Sequence, residues 1–179
     1  MKKIMTAVLL WLALCGTAFP QNAGDFVVDA NGVITNYSGF DTNIVIPATI
    51  GGKRITAIGK EVFQRSDITR VTIPNGITSI GESAFAGNKL TSVTIPGSVK
   101  TIGERAFYNN PALAAIVLSE GVETVGESAF DDTNCKSVSL PSTVREIGYS
   151  AFDHRQVYEA KQLKPDMDET ITRKGLDNK

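Results

Sequence analysis

The chain has 179 residues, room for one domain, and its 42% hydrophobic and 21% charged content is that of a foldable protein, not a disordered one. A formal net charge of −1 argues against nucleic-acid binding, whose footprint is basic and clustered.

Residues 1–20 read as a secretory signal peptide. Met1-Lys2-Lys3 is a positive start, Ile4–Leu14 is mostly apolar and unbroken, and "CGTAFPQNAGD" then turns small and polar. The apolar run is too short for a good membrane anchor. Cleavage is expected at about residues 18–23, or before Cys15 if that residue is lipidated. "LALC" resembles the lipobox of bacterial lipoproteins, with Leu14 where the box has a small residue. The other reading makes Cys15 one more apolar signal residue. Without Cys15, Cys135 is the remaining cysteine, so no internal disulfide staples the fold. The predicted location is outside the cytoplasm: cell surface, periplasm or secreted.

Residues 24–40 predict a β-hairpin cap. "FVVDANGVITNY" places Asn31-Gly32, a strong turn signal, between two apolar runs. That turn accounts for Asp25 and Asp29 more economically than a calcium site does.

Residues 41–152 carry five repeats. "IGKEVF", "IGESAF", "IGERAF", "VGESAF" and "IGYSAF" end on Phe63, Phe85, Phe107, Phe130 and Phe152, at spacings of 22, 22, 23 and 22. Between them recurs a second phrase, as in "ITRVTIP" at 68–74 and "LTSVTIP" at 90–96. Periodicity of this length with a Leu-x-x-Leu-x-Leu skeleton predicts a leucine-rich-repeat solenoid. Leu90, Val93 and Ile95 should face inward and Thr94 outward on a short strand, which Pro96 ends. The repeated glycine permits a tight turn, and the following E-S-A-F makes a turn or a short helical or 3₁₀ segment opposite the parallel sheet. The Glu and Ser of that phrase are read as solvent-facing, and the Phe as core.

These phrases are similar to the BspA-type, or treponemal-type, leucine-rich repeats of bacterial surface proteins. The L-x-x-V-x-I-P and V-x-x-I-G-x-x-A-F pattern matches residues 68–152 in four successive copies, and "GVITNYSGFDTNIVIPATIGGKRITAIG" at 32–59 matches a first one. Ser119 for the proline and Cys135 for the leading leucine are mild departures. The resemblance implies adhesion and coaggregation, with protein ligands such as the matrix protein fibronectin.

Residues 153–179 leave the pattern. "DHRQVYEAKQLK" before Pro165 reads as a capping helix, and the rest as a mobile tail.

No motif for catalysis, cofactor or metal emerges. His154 is the only histidine, and no G-x-S-x-G, Walker loop or paired-cysteine motif is present. Cys135, at a leucine position, is read as a buried inert thiol. What is left is surface. Outward strand positions should form two columns, Asn43, Arg70, Ser92, Ala115, Ser137 and Val45, Thr72, Thr94, Val117, Ser139, nearly uncharged, with Ala114, Ala115 and Val117 apolar. Arg70, Thr72, Ser92, Thr94, Ala115, Val117, Ser137 and Ser139 are the candidate protein-binding residues. The alternative is an envelope assembly protein that forms oligomers through the ends of the stack.

Overall fold

The computed structural model describes residues 22–136 and 138–152. The expected signal peptide, Cys15, Ser137 and the expected C-terminal helix and tail at 153–179 lie outside the described residues.

After a 3₁₀ turn at Ala23–Asp25, the strands in chain order are β1 (Phe26–Val28), β2 (Val33–Tyr37), β3 (Asn43–Val45), β4 (Thr49–Ile50), β5 (Lys53–Arg54), β6 (Ala57–Ile58) and β7 (Arg70–Thr72). Then come β8 (Ser79–Ile80), β9 (Ser92–Ile95), β10 (Thr101–Ile102), β11 (Ala115–Leu118), β12 (Thr124–Val125), β13 (Val138–Ser139) and β14 (Glu146–Ile147). The chain winds as a β-solenoid, and each repeat is one rung. The V-x-I phrase forms parallel ladders, β3 with β7 and β9 with β11 and β13. The Ile or Val before each repeated glycine, with the residue preceding it, forms with β2 a second, longer one: β2, β6, β8, β10, β12 and β14 run parallel, with β1 added antiparallel at one edge.

Register explains why the phrase must repeat. Ile58, Ile80, Ile102, Val125 and Ile147 stand in line down the second sheet, all buried. Side chains alternate along a strand, so a one-residue slip would carry this apolar row into water. The five phenylalanines stack alongside: successive ring centroids are 5.0–5.3 Å apart and the planes within 10° of parallel. That spacing is near the strand-to-strand distance, so each ring covers the next.

The G-x-x-A-F side is a turn, with almost no helix in the fold. Its backbone is bonded across rungs: the amide of Phe85 donates to Ala106 O at 2.7 Å, and Phe107 to Ala129 O at 2.8 Å. The left-handed residue of each turn is the one after next from the glycine: Glu61, Ser83, Arg105, Ser128 and Ser150 all have φ between 49° and 58°. The glycines serve a different need. A Cβ at Gly103 would lie 2.8 Å from Gly81 C and Glu82 N, and one at Gly126 2.6 Å from Gly103 C. Backbone of adjacent rungs meets there, so glycine is required by proximity and not by its φ.

This turn corrects one sequence expectation. Ser83 and Ser150 are buried, not solvent-facing, because the left-handed backbone folds them under the turn. Glu104 and Glu127 are exposed.

The cap hairpin is β1 and β2. Its loop is longer than a two-residue turn: Asp29 N donates to Val33 O at 3.0 Å, and Asp29 Oδ1 accepts from the amides of Asn31 and Val33 at 2.8 and 2.9 Å. Gly32, with φ 81°, takes the left-handed position. Phe26 and Tyr37 then pack against Phe63, with centroids 6.4 and 5.2 Å away, and cover the first face of the aromatic stack.

Candidate functional site

The V-x-I ladders present one residue inward and the next outward. Ile44, Val71, Val93, Ile116 and Val138 are buried. Between them Asn43, Arg70, Thr72, Ser92, Thr94, Ala115, Val117 and Ser139 are exposed, and Val45 is half-buried. Registered pairs align them in columns: Asn43 with Arg70 and Val45 with Thr72, then Ser92 with Ala115, Thr94 with Val117, and Val117 with Ser139. Seven of the eight sequence-derived candidates therefore share one side of the solenoid. Ser137 is outside the described residues.

β7 and β9 lie beside each other, but no hydrogen-bonded ladder joins them. Between those rungs the bonds are Lys89 N to Ile68 O at 2.9 Å and Thr91 N to Thr69 O at 3.3 Å, ahead of both strands. Along this side Arg70 on β7 is charged, and the outward residues of β9, β11 and β13 are uncharged.

The uncharged facet is centred on Val117, 52% exposed on its strand. Ala114 and Ala115 beside it are exposed too. Thr94 and Ser139 border it with hydroxyls. Such a surface loses little on drying, because no ion must be stripped of water. An apolar centre within a polar border is the anatomy of protein–protein contact surfaces.

The core beneath makes this facet stiff. Three residues after Phe63, Phe85, Phe107 and Phe130 stands a short polar side chain. Asn88 and Asn110, 2% and 0% exposed, turn into the rung. Asn88 Nδ2 donates to Phe63 O and Phe85 O at 2.7 and 2.9 Å, and its Oδ1 accepts from Ser66 N and Ile68 N at 3.0 Å each. Asn110 Nδ2 donates to Phe85 O at 3.0 Å and Phe107 O at 2.8 Å, and Oδ1 accepts from Leu90 N at 3.3 Å. Each asparagine ties two rungs just before the outward strand begins. Nothing in the phrases "AGNK" and "YNNP" taken singly distinguishes these asparagines from turn residues. The available signal was a polar residue at the same offset in Ser66, Asn88, Asn110 and Thr133.

Elsewhere the surface charges are paired locally. Lys60 Nζ lies 2.8 Å from Glu82 Oε1, and that hydrogen bond and charge raise the lysine pKa. Lys89 pairs with Asp67 at 2.8 Å, and Lys100 with Glu123 at 3.4 Å. Cys135 is buried. No helix among the described residues is long and apolar enough to cross a membrane.

The sequence model of one family, described as BspA type Leucine rich repeat region (6 copies), matches residues 37–159, more than half of the chain. The chain belongs to the BspA-type leucine-rich repeat family. Its fold is similar to the crystal structure of the T. pallidum leucine rich repeat protein TpLRR, at 28% identity and a TM-score of 0.71, over 76% of this chain and 68% of that one. It also resembles the pneumococcal vaccine antigen PcpA, at 19% identity and a TM-score of 0.55, over 72% of this chain and 47% of that one; this second likeness concerns the fold alone. Among curated proteins none matches. Family and fold are consistent with a protein-binding repeat module.

Proposed function

We propose that the chain is an exported binding module of the bacterial surface, adhesin-like, which contacts host-matrix or neighbouring-cell proteins through the β9–β11–β13 facet. The observation that carries this reading is Val117, half exposed between Thr94 and Ser139 on a ladder whose other side is fully packed. A valine can be placed in water there without cost to the fold, and its contribution is available to a partner. Export rests on the composition of residues 1–20, and lipid attachment at Cys15 is the variant that would retain the protein at a membrane.

The test is binding of the purified chain to immobilised matrix proteins, fibronectin first, and to intact cells. Val117→Glu and Thr94→Lys should each weaken binding at least about tenfold while thermal unfolding stays the same, since a buried unpaired charge in a contact costs more than 1.4 kcal/mol. Binding that ignores both substitutions removes this facet from consideration. Mass spectrometry of the mature N-terminus, with protease accessibility on whole cells, tests export and the Cys15 modification.

A further inference from the structure

Phe40 departs from the rule of its rung. It follows Tyr37 by three residues, as Asn88 follows Phe85 and Asn110 follows Phe107. Those asparagines are buried and hydrogen-bonded to the carbonyls of the stacked phenylalanines, and Thr133 Oγ1 likewise donates to Phe130 O at 3.0 Å. Phe40 points the other way and is 98% exposed, while Tyr37 still fills the aromatic column 5.2 Å from Phe63. The first rung therefore keeps the stack and replaces its inward polar anchor with an outward phenyl ring.

The loop that carries this ring is held on both sides. Ser38 N donates to Asp25 O at 2.8 Å, and Tyr37 Oη donates to Asp41 Oδ2 at 3.5 Å. Gly39 passes so close under the tyrosine hydroxyl that a Cβ there would lie 2.3 Å from it. The Tyr37 phenol has a raised pKa, through burial first and then the carboxylate of Asp41, with Asp25 contributing as well. Both carboxylates thus act on the loop bearing Phe40. Among the described residues no lysine or arginine forms an ion pair with Asp25 or Asp41.

We propose that Phe40, with Asp41 and Asp25, forms a second recognition site that takes a lysine or arginine side chain from a protein partner. The negative face of an open aromatic ring attracts a cation, and two carboxylates that no described lysine or arginine neutralises give the same sign. The same carboxylates oppose an anionic lipid surface, the other common reason for an exposed phenylalanine. The site is separate from the Val117 facet and stands or falls without it.

The probe is a short acetylated Gly-Arg-Ser-Gly-Arg amide, titrated into the full chain by NMR beside its citrulline counterpart, which has the same shape and no charge. The arginine peptide should shift the Phe40 ring and the amides of Ser38 and Asp41, and the citrulline peptide should bind at least about threefold more weakly. Phe40→Leu, which keeps apolar bulk and removes the ring, and Asp41→Asn should each weaken binding about two- to fivefold, Phe40→Trp should tighten it, and Val117→Glu should leave it alone. Equal binding of the citrulline peptide, or indifference to Phe40→Leu, overturns the proposal. So does an absence of shifts, or a preference for phosphatidylglycerol vesicles over the peptide.

Discussion

The phenyl ring of Phe107 lies 5.1 Å from that of Phe85 and within 10° of parallel to it, and 5.1 Å from Phe130 on its other side, within 3°. Both faces of the ring are in contact with another ring, and none of it reaches solvent. Phe107→Ala should therefore lower stability by about 3–5 kcal/mol, because neighbours locked in their own rungs cannot close the cavity. The urea midpoint measures this, and a value equal to wild type would contradict the stacked core.

Asn110 satisfies the carbonyls of Phe85 and Phe107 and the amide of Leu90. In Asn110→Ala the Phe107 carbonyl and the Leu90 amide lose their partner where water is excluded, while Phe85 O keeps its bond from Asn88 Nδ2, and a buried unsatisfied group costs about 1–3 kcal/mol. Stability should fall by at least about 2 kcal/mol, with amide exchange accelerated first at Leu90. Exchange at Leu90 as slow as in wild type would show that the bond contributes little.

Glycine and non-glycine positions of the turn should respond in opposite directions. Gly103→Ala puts a methyl group 2.8 Å from backbone of the preceding rung, and overpacking of this kind costs about 1–3 kcal/mol. Arg105, two residues on, has φ 51°, a conformation that strains an L side chain by about 1–2 kcal/mol. Arg105→Gly should raise the melting temperature if the gain from relief exceeds the loss of an exposed contact with Glu104. Melting curves of the two variants decide it: both falling, or Gly103→Ala rising, contradicts the assignment.

Tyr37 supplies a pH dependence at the cap. Its phenol pKa is raised above 10.0, first by burial and then by the Asp41 carboxylate. The folded chain holds that proton more tightly than the unfolded one, so the contribution is complete below about pH 10. It is lost as pH rises through the folded value. Wild type should lose stability more steeply above pH 10 than Tyr37→Phe, and the difference titration of the two should show one phenol ionising late. Parallel stability profiles would remove the effect.

Most of the fold is legible in the residues, because the core repeats at a fixed interval and one rung's pattern is tested by four others. The inward and outward residues of "LTSVTIP" follow directly from strand alternation. Residues that act between rungs are harder to read. Gly81 and Gly103 look like turn formers, yet the property they supply is absence of a side chain where backbones meet. Asn88 and Asn110 look like loop residues until the carbonyls they reach are known. The break in the ladder between β7 and β9 has no counterpart in the repeat phrases, which run on unchanged. Phe40 passes for an ordinary apolar residue unless it is aligned with the asparagine column, where its exposure becomes an exception.

The short arm formed by β4 and β5 leaves the first rung where other rungs turn with two or so residues, and rejoins it at Ile55, whose amide bonds Ala48 O at 2.9 Å. At its tip a Cβ added to Gly51 or Gly52 would meet nothing within 4 Å beyond the adjoining residues. The coil can thus carry additional chain at this corner and resume its pitch unaltered. A foreign epitope spliced between the two glycines would be displayed clear of the scaffold, which marks the corner as a natural place for length variation among solenoids of this build.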